Sequence, residues 1–436
     1  MVLELAQRKG HCVGRLVALF MLAIGSIAAM AVGSRAQAET QYTPSVNLSQ
    51  RYNSNVWNTA ENRIPPGKQM WDLVTRLGAD VTVLNKSRLG DTRVRAAVDG
   101  NVYAYNTDLA YVSTNVLASS DVTDWAQELL PGLKLQISDA FRYSPNQAVF
   151  PLGTFQGVPP PASDIFSSGI QPARANTWSN RLSTDGDYSF SRSAGLRANY
   201  TFSMLRRGRV STTEVTPSGE LPLTYFDTTA HNVAIGPTYT LDGGDTLFLK
   251  YNYLTTEQTR KDPSGTAGSR PPIHFTSHSI QPEYVTQIVR GWTATISGGA
   301  TMIEQQGNRT FFSGLFSLTN EFDRQTHMSI SASRRTIPAY FGIVGGAYIS
   351  NVAQLYVSHG FSRVVRLTVR GNYAYNESTP VKISTVETII GSAVLDYNLT
   401  RDTKLSLSQQ YAHFNVTGVS PFDQLVTMLM VSTEWK

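Results

Sequence analysis

Two histidines flank a hydroxyl in one short stretch: His274, Thr276 and His278, with Ser277 and Ser279 between and beside them. A hydroxyl next to an imidazole pairs a nucleophile with a general base, and paired imidazoles are a common start for a zinc site. The spacing argues against the metal. On a strand, residues four apart lie about 13 Å from one another along the chain, too far to share one metal. The sequence holds no Gly-x-Ser-x-Gly, no His-Glu-x-x-His, no phosphate-binding glycine loop and no haem-attachment motif. Gly342, Gly345 and Gly346 lack the strand–helix context such a loop needs. No catalytic residue, cofactor or metal site is therefore expected, and the chain is not expected to be an enzyme.

The remaining chemistry lies in charges on the polar side of alternating segments: Asp72, Arg76, Asp80, Arg93, Arg95, Asp99, Arg197, Lys250, Arg366 and Arg370. Lining a wet lumen, such charges set the selectivity of a channel. The alternative is a mixed-sign network that only solvates or ties the wall. Arg76, Asp80, Arg93, Arg95 and Asp99 fall on neighbouring segments, where such a cluster can form.

The elements that must position these charges follow from a two-residue period. Met70 to Leu84 carries Trp71, Leu73, Thr75, Leu77, Ala79, Val81 and Val83 on one face, and Asp72, Arg76, Gly78, Asp80 and Thr82 on the other. Arg93 to Tyr105 repeats the scheme: Val94, Ala96, Val98, Gly100, Val102 and Ala104 oppose Arg93, Arg95, Asp99 and Asn101. Alternation puts each set on one face of a strand. Eighteen such segments run from residues 42–52 to 424–435. A fifteen-residue strand spans about 50 Å, against about 17–20 Å in globular domains. Aromatic residues recur near strand ends: Tyr52, Trp71, Tyr103, Tyr105, Trp125, Tyr143, Trp178, Tyr188, Trp292, Tyr373, Tyr375 and Trp435. Girdles at the two membrane interfaces take such residues.

These features predict an all-β fold, a transmembrane antiparallel up-and-down β-barrel of about 16–18 strands. Lipid cannot satisfy an open sheet edge, so the first and last strands must pair. An even count puts both termini on the periplasmic side. Turns there are short, among them Asp242–Gly244, an Asp-Gly-Gly hairpin signal. External loops are longer: Asn53–Lys68, Pro145–Ala175, Arg207–Asp227, Thr259–Pro272, Ile337–Tyr348 and Val416–Asp423. The Pro/Gly-rich loop at 145–175 cannot be interior strand; it either stays outside or folds into the lumen as a constriction, with Phe150, Phe155 and Phe166 to bury.

The first 38 residues read as a cleaved signal peptide. Arg8, Lys9 and Arg15 precede an apolar run from Leu16 to Val32, and Ala36-Gln37-Ala38 is an A-x-A cleavage site before Glu39. A single barrel domain, 39–436, follows. Cys12, the only cysteine, lies in that leader, so the mature chain has no disulfide. Four basic residues and one acid in the leader supply three of the five net positive charges. The balance is too small to attract nucleic acid.

Several motifs resemble a family of bacterial outer-membrane β-barrel porins, whose members are often encoded beside exopolysaccharide and protein-sorting genes. Thr43-Pro44-Ser45-Val46-Asn47-Leu48 and Arg51-Tyr52-Asn53-Ser54-Asn55-Val56-Trp57 resemble its opening strand. Leu135 to Pro145 and Arg174 to Asn180, leading into Gly186-Asp187-Tyr188-Ser189-Phe190, resemble later strand ends. The resemblance implies the outer membrane of a Gram-negative bacterium, a porin or an exopolysaccharide-export role, and no catalytic residues. Expected partners are the lipid bilayer, polysaccharide or small solutes, and the machinery that reads a C-terminal aromatic; here Trp435 is followed by Lys436. The competing function is a structural or interaction barrel with a plugged lumen that binds export partners or surface material.

Overall fold

The computed structural model describes residues 39–144, 175–210, 224–261 and 271–435, apart from positions 59, 65, 89, 306, 321–324, 339–340, 343–345, 380–381, 383 and 418. The leader 1–38 and most of the loop 145–175 lie outside the described residues.

Eighteen long strands form one closed antiparallel sheet. They are β1 Glu39–Asn53, β2 Asp72–Ser87, β3 Gly90–Tyr103, β4 Tyr111–Asp121, β5 Leu133–Ser144 and β6 Ala175–Ser189. β7 Ala194–Val210, β8 Thr224–Thr240, β9 Thr246–Lys261, β10 Ile273–Val289, β11 Trp292–Glu304 and β12 Asn308–Asn320 follow. β13 Thr326–Pro338, β14 Ala347–Gly360, β15 Val365–Thr379, β16 Thr385–Asn398, β17 Thr403–Val416 and β18 Val419–Glu434 complete the ring. Each pairs with the next, and β18 returns to β1 from Ser45↔Glu434 to Asn53↔Val426. Trp435 N–H donates to Pro44 O at 3.0 Å beyond the last pair. No long edge is left, as a lipid-spanning sheet requires.

The expected period holds on both faces. Leu48, Leu77, Leu249, Ile280, Ile296, Phe312, Leu407 and Leu429 point outward and are exposed. Ser49, Asn101, Thr201, Ser277, Ser313, Ser350 and Ser408 point inward and are buried. Trp71 packs on Tyr105, and Tyr143 on Trp178, at the outward strand ends. Tyr103 departs from the expected girdle. It pairs with Val74 on the inward face and is 1% exposed, because the chain folds in over it.

Connections at the end that holds both termini are short. Asp242-Gly243-Gly244 closes the β8–β9 hairpin with Gly244 at φ +86°, a value that favours glycine. The β4–β5 connection instead forms a short helix, α1 Thr123–Leu129. Opposite lies the loop end. There the expected long loop Val416–Asp423 contracts to a tight turn, since β18 begins at Val419. A register shift lies between Phe414 and Val416, just before this turn.

Two loop-end segments turn inward. Val56 and Trp57, from the β1–β2 connection, pack on Val74, Tyr103 and Leu109. The β13–β14 connection, expected as an external loop, crosses to the far wall. Phe341–Gly342 pairs with Thr224–Tyr225 at the head of β8. Gln258 of β9 donates to Gly346 O at 3.0 Å and accepts from Gly346 N–H at 2.6 Å. Beneath it Phe275, Ile303 and Ala347 form a buried cluster with Leu254 and Phe311.

Candidate functional site

The inward face carries the charges predicted to line a lumen, and cross-strand register decides how they pair. Arg76 of β2 reaches Asp99 of β3, with Nε and Nη2 at 3.0 and 2.7 Å from Oδ1. Four residues further from the loop end along each strand, Arg95 grips Asp80 through Nε and Nη2, at 3.0 and 3.1 Å. Ser45 Oγ donates to the same carboxylate at 2.5 Å. Such two-pronged contacts between fork and carboxylate fix geometry as well as charge. Gly78 makes the first pair fit. A Cβ there would overlap Asp99 Oδ1 and the Asn47 carboxamide.

Two other predicted residues find acids that sequence reasoning did not name. Arg197 pairs with Asp187 at 2.8 Å and lies 5.4 Å from the Phe248 ring centroid. Lys250 pairs with Glu283 at 3.2 Å. Lys404 and Asp396 make a further wall pair at 3.7 Å, which Ser406 Oγ supports. The missed partners follow from parity once register is known. Sequence periodicity gives each strand two faces but not which residues oppose one another.

Asp72 occupies the inward face but offers nothing to a solute. It is fully buried. Its carboxylate accepts N–H groups from Ala104, Tyr105 and Asn106 at 2.9, 3.1 and 2.7 Å, and Asn106 Nδ2 at 2.9 Å. Asn106 Nδ2 also donates to Gln69 O, which accepts Trp57 Nε1 at 2.8 Å. Asp72 thus anchors the loop-end cap.

The rest of the predicted set divides by position. Arg93 and Arg366 are exposed near the terminal end. Arg370 is half-buried 5.4 Å from the Tyr356 ring centroid, with Nε buried and lacking a hydrogen-bond partner. Arg51 of β1, which the sequence reading missed, has its Nε in the same condition. Arg142 of β5, also missed, interacts electrostatically with Tyr111, Arg76 and Asp99. Arg51, Arg142 and Arg370 therefore add positive charge to a wall whose ion pairs otherwise balance.

The His274–Thr276–His278 stretch faces outward. His278 Nδ1 lies 2.8 Å from Tyr251 Oη, and Thr276 Oγ1 donates to Glu304 Oε2 at 3.2 Å. The same arrangement recurs two strands away. Tyr200 Oη is 2.9 Å from His231 Nδ1, and Phe202 opposes His231 as Tyr253 opposes His278. Both groups sit toward the loop end of the outer surface, where amphipathic rings of a girdle belong.

No family model matches the chain, and no curated protein matches it. Solved structures similar to it include the siderophore receptor PirA from Acinetobacter baumannii, at 8% identity and TM-score 0.43, covering 92% of this chain and 81% of that one. OccK5 (OpdH) of Pseudomonas aeruginosa is similar at 10% identity and TM-score 0.42, covering 91% and 99%. OpdQ of the same organism is similar at 8% and 0.40, covering 91% and 97%. The barrel assignment rests on this chain's own strand pairing.

Proposed function

We propose that this protein is an outer-membrane channel of a Gram-negative bacterium whose basic lumen passes anionic solutes. The observation that carries the reading is the surplus of inward arginine. Asp80, Asp99, Asp187, Glu283 and Asp396 are each matched by a cation, and inward Asp185 is held by Asn199 and Ser183. Arg51, Arg142 and Arg370 stand beyond those pairs. Rings of basic side chains favour anions in a pore.

The membrane assignment draws on closure, the apolar outward band and the aromatic strand ends, the construction of outer-membrane barrels. The leader read at 1–38 would send the chain there, and the machinery that reads a C-terminal aromatic would insert it. The motif resemblance favours an exopolysaccharide as cargo, which the basic wall would require to be acidic, with small anions as the other candidate. No covalent chemistry is assigned to the lumen in this reading; the His274–Thr276–His278 stretch faces outward. The inward packing of Trp57 and of the segment crossing to β8 supports a lumen capped at its loop end, which also favours the interaction-barrel alternative.

Single-channel recording of the purified mature chain in a planar bilayer separates the two. Steady, salt-dependent conductance steps are expected. Protein shown to be folded and inserted that never conducts would overturn the channel and leave the plugged barrel.

A further inference from the structure

The turns at the end that holds both termini repeat one pattern. Tyr188-Ser189-Phe190-Ser191-Arg192 leads out of β6, His359-Gly360-Phe361-Ser362-Arg363 out of β14, and Tyr397-Asn398-Leu399-Thr400-Arg401 out of β16. In each, a ring, a large apolar residue and an arginine stand two residues apart. Ile288 and Arg290 repeat the last two members after β10. Phe322-Asp323-Arg324 has the same sequence and lies outside the described residues.

The apolar member extends the lipid-facing wall past the end of the strand. Phe190 packs edge-on against Tyr188 at 4.9 Å between ring centroids, and Phe361 against His359 at 4.8 Å. Leu399 follows Leu395 and Tyr397, which are exposed on the outward face. Phe190, Ile288, Phe361 and Leu399 are about as exposed as Leu77 of the outer wall. The arginine member is also exposed. Among the described residues, no carboxylate pairs with Arg192, Arg290, Arg363 or Arg401, although Asp402 adjoins the last. Arg88, after β2, is by contrast taken by Glu128 of α1 at 3.1 Å. The β8–β9 turn departs from the pattern: it carries Leu241 but an aspartate, Asp242, and no arginine.

We infer that these four turns form a ring that binds the phosphates of anionic phospholipids in the leaflet facing the periplasm. The inference rests on the membrane-barrel reading above. An apolar side chain beside an unmatched guanidinium belongs where hydrocarbon meets headgroup: the first sits in the acyl boundary, the second among phosphates. Each guanidinium offers a phosphate a fork of donors. Placement selects lipid over a protein partner. The turns are spread around the barrel from β6 to β17. A leaflet meets all of them at once, whereas a partner with one footprint meets only neighbours.

Tryptophan quenching by brominated lipid tests this on the folded mature chain in phosphatidylcholine vesicles. Trp125, Trp292 and Trp435 lie at this end and report on it. Brominated phosphatidylglycerol should quench in preference to brominated phosphatidylcholine. The preference should be about fivefold per turn, what one basic residue near an anionic surface confers, and should fall as salt is raised. Arg192→Gln, Arg290→Gln, Arg363→Gln and Arg401→Gln together should bring the ratio close to one. The same four changed to lysine should keep most of it. Arg334→Gln with Lys382→Gln, which removes cations toward the loop end, should leave it unchanged. A parent without preference, a folded glutamine variant that keeps it, or a lysine variant that loses it overturns the proposal. Should the glutamine variant not fold, the lysine variant and the salt dependence of the parent decide. Flotation is read alongside: a chain that does not float with vesicles sinks the membrane reading itself, whereas a floating chain without preference sinks only the ring.

Discussion

Replacing Asp72 with alanine removes one acceptor from four donors. The carboxylate is fully buried and holds three backbone N–H groups and the Asn106 side chain. Hydrogen bonds to a charged group contribute about 1.5–3 kcal/mol each, but four on one carboxylate are not additive. Leaving buried donors without an acceptor costs about 1–3 kcal/mol, and that range applies here. The loss falls on the cap, because Asn106 connects Asp72 to Gln69 and thence to Trp57. At about 1.4 kcal/mol per decade, the uncapped population rises by about one to two orders of magnitude. Two readouts follow. The indole of Trp57, 2% exposed in the folded barrel, should gain access to an aqueous quencher. Single-channel conductance should rise or become noisier while the barrel stays inserted. Unchanged quenching together with unchanged conductance would refute the assignment of Asp72 as the anchor of a cap.

Further outcomes follow from the wall and its turns. Gly78→Ala should displace Asp99 from Arg76 and destabilise the barrel by about 1–3 kcal/mol, the usual cost of overpacking, read as a lower unfolding temperature. Replacing Arg51, Arg142 and Arg370 together with glutamine should keep conductance but shift the reversal potential toward cations. Asp245, in the β8–β9 turn, has its pKa lowered by hydrogen bonds from Tyr284 and Thr286. A depressed carboxyl contributes stability above its unfolded pKa, about 3.9, and loses it as pH falls through the folded value. Asp245→Asn should therefore unfold at lower temperature than the parent at neutral pH and converge with it in strong acid.

The strands were legible because a wall between lipid and water imposes a strict two-residue period on every segment. All eighteen predicted segments correspond to strands, and Leu77 against Asp80 fixed which face was which. What depended on chain-distant contacts was not legible. Nothing local in Ile337–Tyr348 says that it crosses to β8, because the decisive partner, Gln258, is far away in sequence. Tyr103 reads as a girdle residue until the loop bearing Trp57 covers it. Helix α1 fell largely in the connection between two predicted strands, because its seven residues are too short for a helical period to show. Of the predicted lumen charges, Arg76, Asp80, Arg95 and Asp99 do form the mixed-sign cluster, whereas Arg93 stands apart and Asp72 has a different task. Arg142 was overlooked although its alternation with Ala140 places it inside.

The most direct test of the account is the reversal potential of the wild-type mature chain across a planar bilayer under a KCl gradient. A basic lumen predicts a potential of the sign that reports chloride passing more readily than potassium, diminished at high salt as the wall charges are screened. A potential of the opposite sign, from a channel that plainly conducts, would contradict the claim that the inward arginines set what passes.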